Sequence, residues 1–197
     1  MILEILKFPD PRLRRKCAEV KKVDAKMKAL AENMLETMYS SKGIGLAAAQ
    51  VDELHRLIVI DTRPKENGRY KVEDLTDLEK SVEQPLVLFN PKVISYEGKN
   101  TFDEGCLSVP GYFETVTRNN FIELEYLDIN GKKQNLKTDG LLAICIQHEI
   151  DHLDGKLFID RLSPIKSTRI KNRIKKYGYD NPAEDADKKG EVEELLK

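Results

Sequence analysis

Residues 140–155 read GLLAICIQHEIDHLDG. From Leu141 to Ile146 every position is apolar, so a helix here has no face left for water and belongs in the middle of a fold. Asp139 can cap its start and Gly155 can close its end. His148 and His152 are four residues apart. On a helix that spacing stacks them on one face, with Cβ atoms roughly 5–6 Å apart, so both imidazoles can reach one metal ion. Glu149 follows about 100° round the helix, beside such an ion and not on it. HExxH thus supplies two ligands and a carboxylate that can handle a metal-bound water. Burying these groups among apolar side chains is costly without a purpose.

A third ligand is needed. One extended zinc-protease pattern continues HExxHxxGxxH. Here Gly155 is in place, but Phe158 stands where the third histidine would be, and phenylalanine cannot ligate. Acidic residues downstream lie in a charged, tail-like segment. Upstream, residues 103–111 read DEGCLSVPG, with Cys106 in a turn bracketed by Gly105 and by Pro110-Gly111. A thiolate is a strong ligand for zinc or ferrous iron. A free cysteine is also often just a small buried hydrophobe, and spacing alone leaves both readings open.

Working outward, Met27, Leu30, Met34, Leu35 and Met38 form one stripe at helical spacing, which predicts a helix from Asp24 to about Ser41. Gly43 then opens GIGLAAAQ. RLIVID (56–61) reads as a strand, and PLVLFNP and KVISYEG as strands broken at Asn90-Pro91. Phe121–Leu127 alternates, and Asn130-Gly131 signals a hairpin into a strand near Leu136. Residues 63–84 are polar and charged and read as a mobile surface insertion. Strands preceding a buried helix predict an α+β class: small mixed or antiparallel sheets packed around the HExxH helix, with a C-terminal helix. The expected layout is one catalytic domain (1–163), a basic helix (164–178) and an acidic flexible tail (179–197).

The chain has 197 residues and a net charge of -1, which fits one domain and gives no global pull toward DNA or an anionic membrane. Three cysteines without a spacing pattern argue against a disulfide scaffold. No secretory leader and no membrane span is read, so the expected location is the cytoplasm.

Three segments taken together, GIGLAAAQ (43–50), EGCLSVPG (104–111) and QHEIDHL (147–153), resemble the bacterial peptide deformylases in order and separation. The likeness extends over nearly the whole chain except the 63–84 insertion and the tail. It implies that Cys106, His148 and His152 are the metal ligands and that Glu149 is the general acid/base. It implies that Gln50 and the backbone N–H of Leu107 stabilise the oxyanion, and that Gly45 lets the formyl group approach closely. Glu104 and Arg118 resemble a buried ion pair supporting the cysteine loop. The metal implied is ferrous iron natively, with zinc or nickel able to replace it. The substrate implied is the formylmethionine end of nascent chains. Two departures stand out: Ala49 replaces a proline in the first motif, and the insertion after Asp61 is long.

The expected reaction is attack of a metal-activated hydroxide on the formyl carbon, releasing formate. Leu141, Cys145, His148 and His152 recur on one helical face, with Ile144 at its border. With Ile44 and Gly105 they predict an apolar pocket for a methionine side chain. Residues 165–176 carry six basic side chains and no acidic one. They are either a solvated face or, as the resemblance implies, a ribosome-docking helix reading RNA phosphates. Two rival readings of the residues are an HExxH endopeptidase, which does not need Cys106, and a structural metal module, which needs a fourth protein ligand.

Overall fold

A computed structural model describes residues 1–64 and 71–179. In chain order its elements are α1 (Ala25–Ser40), β1 (Gly45–Ala47), β2 (Leu57–Ile60), α2 (Asp77–Lys80), β3 (Leu86–Glu97), β4 (Asn100–Cys106), β5 (Val109–Arg118), β6 (Phe121–Leu127), β7 (Lys133–Asp139), α3 (Gly140–Leu153) and α4 (Pro164–Tyr177). Five strands form an antiparallel sheet in the order β1-β2-β3-β6-β7, and β4 pairs with β5 as a separate ribbon. The α+β class is as expected.

The strand β2 explains how the layers stack. Its residues alternate between faces, and both faces are buried. Ile58 and Ile60 join Leu142, Ala143 and Ile146 of α3. Leu57 and Val59 join Met27, Leu30, Met34 and Met38 of α1. The sheet is therefore held between two helices, which is why this strand is uniformly apolar. Each such fully buried side chain contributes roughly 1.5–3 kcal/mol. A third apolar cluster joins Leu6, Phe8 and Leu13 to Val109, Val116, Phe158 and two residues of α4, Ile170 and Ile174. The basic helix thus contributes an apolar edge to the core, and Tyr179 after it donates a hydrogen bond to the Phe8 carbonyl at 2.8 Å.

In α1, the Asp24 side chain accepts from the Met27 N–H at 3.0 Å, as the predicted cap requires. In α3, every residue except Gly140 and Ile150 is buried, as the all-round apolar sequence demands. The helix ends as Gly155 predicts: its φ is +72°, its N–H bonds the His152 carbonyl, and the Lys156 N–H bonds that of Asp151. This is a Schellman closure.

Three expectations need correction. First, Asn90-Pro91 does not break the strand. Residues 86–97 run as one strand with a register shift between Phe89 and Lys92. Pro91 has no N–H to pair, and the bulge absorbs that loss. Asn90, at φ +53°, turns its amide to the Val20 backbone instead. Second, Asp139 occupies the cap position of α3 but its side chain makes no capping bond; it accepts from the Thr76 hydroxyl. Third, residues 63–84 are not surface throughout. Lys71–Asp74 is exposed, but Glu79 and Gln84 are buried. Residues 65–70 of that insertion and residues 180–197 of the expected acidic tail lie outside the described residues.

Candidate active site and metal centre

The two histidines come from one helix and the cysteine from the turn of the β4–β5 ribbon. The Cys106 Sγ lies 3.3 Å from the His152 Nε2. That nitrogen lies 3.3 Å from the His148 Nε2. One ligand atom from each of the three residues falls within a 4.8 Å group. Tetrahedral bonds of about 2.3 Å to sulfur and 2.0–2.1 Å to nitrogen require neighbouring donors about 3.4–3.6 Å apart. The two separations that share the His152 Nε2 match that spacing to within a few tenths of an ångström. The tautomer of His148 fits as well. Its Nδ1 donates to the Glu104 Oε2 at 2.9 Å, which leaves the Nε2 lone pair directed at the other two donors.

The shell behind the ligands is ionic and buried. Arg118 is 3 % exposed. It donates to both oxygens of Glu104 and, at 2.8 Å, to Asp151. Arg161 closes Asp151 from outside. The expected Glu104–Arg118 pair is therefore part of a longer chain, His148–Glu104–Arg118–Asp151–Arg161. Burial raises the Glu104 carboxyl, but Arg118 and His148 outweigh it and hold the group below its ordinary value. Phe158, which excluded a third histidine, stacks on the His148 ring with centroids 6.3 Å apart. It fixes the ring that a ligand there would have competed with.

Glu149 is 4 % exposed, and its Oε2 has no partner among the described residues. Burial pushes its carboxyl up to about 7, against the pull of His148 and Arg118. Gly45 lies against it. A Cβ on Gly45 would stand 2.4 Å from the Glu149 Oε1 and 2.8 Å from the Cys145 Sγ, so only glycine fits. Gln50 is 1 % exposed. Its Oε1 accepts from the Ala47 N–H at 2.8 Å, which aims Nε2 at the Ser108 Oγ (3.1 Å) and the Cys106 Sγ (3.6 Å). The 3-10 turn Ala48–Val51 forms with Ala49 where the resemblance implies a proline.

A cavity of about 410 Å³ opens onto these groups. The predicted substrate-binding residues Ile44, Gly105, Leu141, Ile144 and Cys145 line it, together with Gly45, Gln50, Leu107, Cys106, His148 and Glu149. His152, 1 % exposed, sits behind them. Sequence reasoning missed Phe102 and Phe113, which line the mouth. The Phe113 ring occupies the space a Gly105 side chain would need. Alternation along β5 could have flagged Phe113; the ring's position over Gly105 follows only from the strand register. A wider groove of about 840 Å³ lies elsewhere, over Arg14, Arg161 and Lys166. Those three cations are each paired with a carboxylate. The third histidine, His55, faces Glu53 and is remote in sequence from the ligands.

An HExxH helix buried in an α+β fold, with a cysteine beside its two histidines and a carboxylate next to them, offers the residues of a metallohydrolase site. The comparisons with known proteins narrow this. A family model described as polypeptide deformylase matches residues 2–168. A peptide deformylase of Nitrosococcus oceani is 49% identical over 89% of this chain and 95% of its own length. One of Neisseria meningitidis is 45% identical over the same shares. The crystal structure of a peptide deformylase from Ehrlichia chaffeensis superposes with a TM-score of 0.77 at 41% identity, covering 89% of this chain and 96% of that one. One from Legionella pneumophila gives 0.76 at 39%, covering 89% and 95%. The chain belongs to the polypeptide deformylase family, and it is an enzyme, a peptide deformylase that removes N-formyl groups from peptides.

Proposed function

We propose that this chain removes the formyl group from N-terminal formylmethionine of nascent polypeptides, with Cys106, His148 and His152 holding one divalent ion. The observation that carries the reading is the convergence of those three donor atoms beside buried Glu149, at the floor of an apolar cavity. Ferrous iron is the native ion in this reading, with zinc or nickel able to take its place. A thiolate with two imidazoles accepts any of these. Such an ion, when bound, polarises a carbonyl and lowers the pKa of a water toward neutrality.

The remaining work belongs to the side chains. Glu149 takes the proton of the attacking water and delivers it to the leaving amine. A carboxyl poised near neutral pH suits both transfers. Gln50 Nε2 and the Leu107 N–H stabilise the oxygen on which negative charge develops. Each donor of this kind is worth roughly 10²–10³ in rate. Gly45, lacking a side chain, lets the formyl group lie against Glu149. Ile44, Gly105, Leu141, Ile144 and Cys145 enclose the methionine side chain, whose flexible thioether fills such a pocket well.

Two further parts of the reading concern location. The enzyme acts in the cytoplasm, consistent with three free cysteines. No helix among the described residues is long and apolar enough to cross a membrane. The exposed side of α4, including Arg169, Lys175 and Lys176, docks on ribosomal RNA phosphates. Unchanged pelleting with ribosomes at low salt after truncation at Pro164 would count against docking.

The activity is tested anaerobically, by formate release from a formyl-methionyl peptide alongside metal analysis. Glu149→Ala should keep the ion and lose about 10²–10⁴ in kcat. Full activity in that variant would overturn the role given to Glu149. Cleavage of internal peptide bonds would favour the endopeptidase alternative.

A further inference from the structure

The start of α3 is capped from outside its own sequence. A helix leaves its first backbone N–H groups unpaired, and Asp139 does not cap them. Glu79, from α2 in the 63–84 insertion, does so instead. Its Oε1 accepts from the Leu142 N–H at 2.8 Å and faces the Thr62 hydroxyl at 3.5 Å. The side chain is 1 % exposed. Its Oε2 is buried with no partner among the described residues. That oxygen rests against Gly140, where a Cβ would stand 2.5 Å away. Gly140 is also at φ +59°, so glycine is required there twice over. Thr76 completes the clamp by capping the Glu79 N–H at 3.0 Å while its hydroxyl binds Asp139. Gln84 ties the far end of the segment to the Thr62 N–H at 2.8 Å.

Leu141 and Ile144, in the first two turns of this helix, line the cavity. We propose that Glu79 is a positioning residue for the enzyme, fixing the first turn of α3 and so the depth of the pocket wall formed by Leu141 and Ile144. The role is separate from the proposed ion site, since His148 and His152 lie in the second half of the helix and Cys106, Glu104 and Arg118 on the β4–β5 ribbon. Burial, opposed by the backbone donors of Leu142 and Leu141, raises the carboxyl above its ordinary value.

The inference rests on the deformylase reading for its kinetic arm only. Amide hydrogen exchange and kinetics are measured on the metal-loaded full-length enzyme. In Glu79→Ala, exchange across Leu141–Ile144 should accelerate at least about tenfold while residues 148–153 keep their protection. Glu79→Gln, whose carbonyl can still accept from Leu142, should match the parent. Glu79→Asp, one methylene short, should lie between, and it keeps the measurement available if the alanine variant does not fold. For a formyl-methionyl peptide, Glu79→Ala should raise KM about tenfold with kcat little changed. For the formyl-alanyl analogue, whose side chain does not reach Leu141, kcat/KM should stay within about twofold. A general loss of folded enzyme would lower both substrates equally. Unchanged exchange in Glu79→Ala, or equal loss on the two peptides, overturns the proposal. A parent enzyme that releases no formate from either peptide counts against the deformylation reading instead, and the exchange data still decide the role of Glu79.

Discussion

The two halves of α3 are held in opposite ways. The second half carries the two candidate histidine ligands and is fixed by charge: Glu104 pairs with its His148 and Arg118 with its Asp151, and all four are buried. The first half carries the pocket wall and is fixed by apolar packing and one carboxyl cap. The difference follows from what each half holds. Donors that bind a cation need their lone pairs oriented, and oriented carboxylates behind them do that. A wall for a hydrophobic side chain needs only shape, so charge there would be a cost with no return.

The largest effect should come from breaking the centre where the halves meet. Cys106→Ala removes one of three donors, so the purified protein should carry little metal and show no measurable formate release, read by elemental analysis and assay. Retained stoichiometric metal would mean that the cysteine is a bystander.

Breaking the ionic half comes next. Arg118→Met strands Glu104 and Asp151 without their shared cation, at a cost of about 3–5 kcal/mol. Urea unfolding reads this, and a loss under 1 kcal/mol would show that charge is not what holds the second half. Breaking the apolar half should cost less. Gly140→Ala puts a Cβ at positive φ and against Glu79, for roughly 2–3 kcal/mol, with metal content unchanged.

The smallest effect serves as an outside control. Asp160 is partly exposed; desolvation raises its carboxyl, but Arg14 and Lys171, bonded to it, outweigh that and lower it to about 2. A depressed carboxyl stabilises the fold above its unfolded value of 3.8, and that contribution is lost as pH falls through about 2. These groups are partly exposed, so Asp160→Asn should cost no more than about 1 kcal/mol at pH 7 and almost nothing near pH 2. Melting curves at the two pH values check both.

Legibility in the sequence followed the range of the interactions. His148, His152 and Glu149 were readable because one helix places them, and helical spacing is local. The α1 stripe and the hairpin at Asn130-Gly131 were readable for the same reason. Cys106 was open on spacing and became a ligand candidate through its motif; 42 residues separate it from His148 in the chain, and only the fold closes that gap. The strand runs through Pro91 because a bulge absorbs the missing N–H, and the Val20 backbone that holds Asn90 at that bulge is distant in the chain, whereas the proline signal is local. The insertion was misread more deeply. Nothing in DLTDLEK distinguishes Glu79 from its exposed neighbours.

The sequence by itself determined the buried helix, its paired histidines and the carboxylate beside them, because backbone periodicity converts spacing directly into geometry. It also carried the three motifs by which the family is known. Only the tertiary structure decided that Arg118 serves two carboxylates at once, that Phe158 braces His148, and that α3 is capped by Glu79 and not by Asp139. Those outcomes depend on segments meeting across dozens of residues, where buried polar groups must find whatever partner the packed core brings to them.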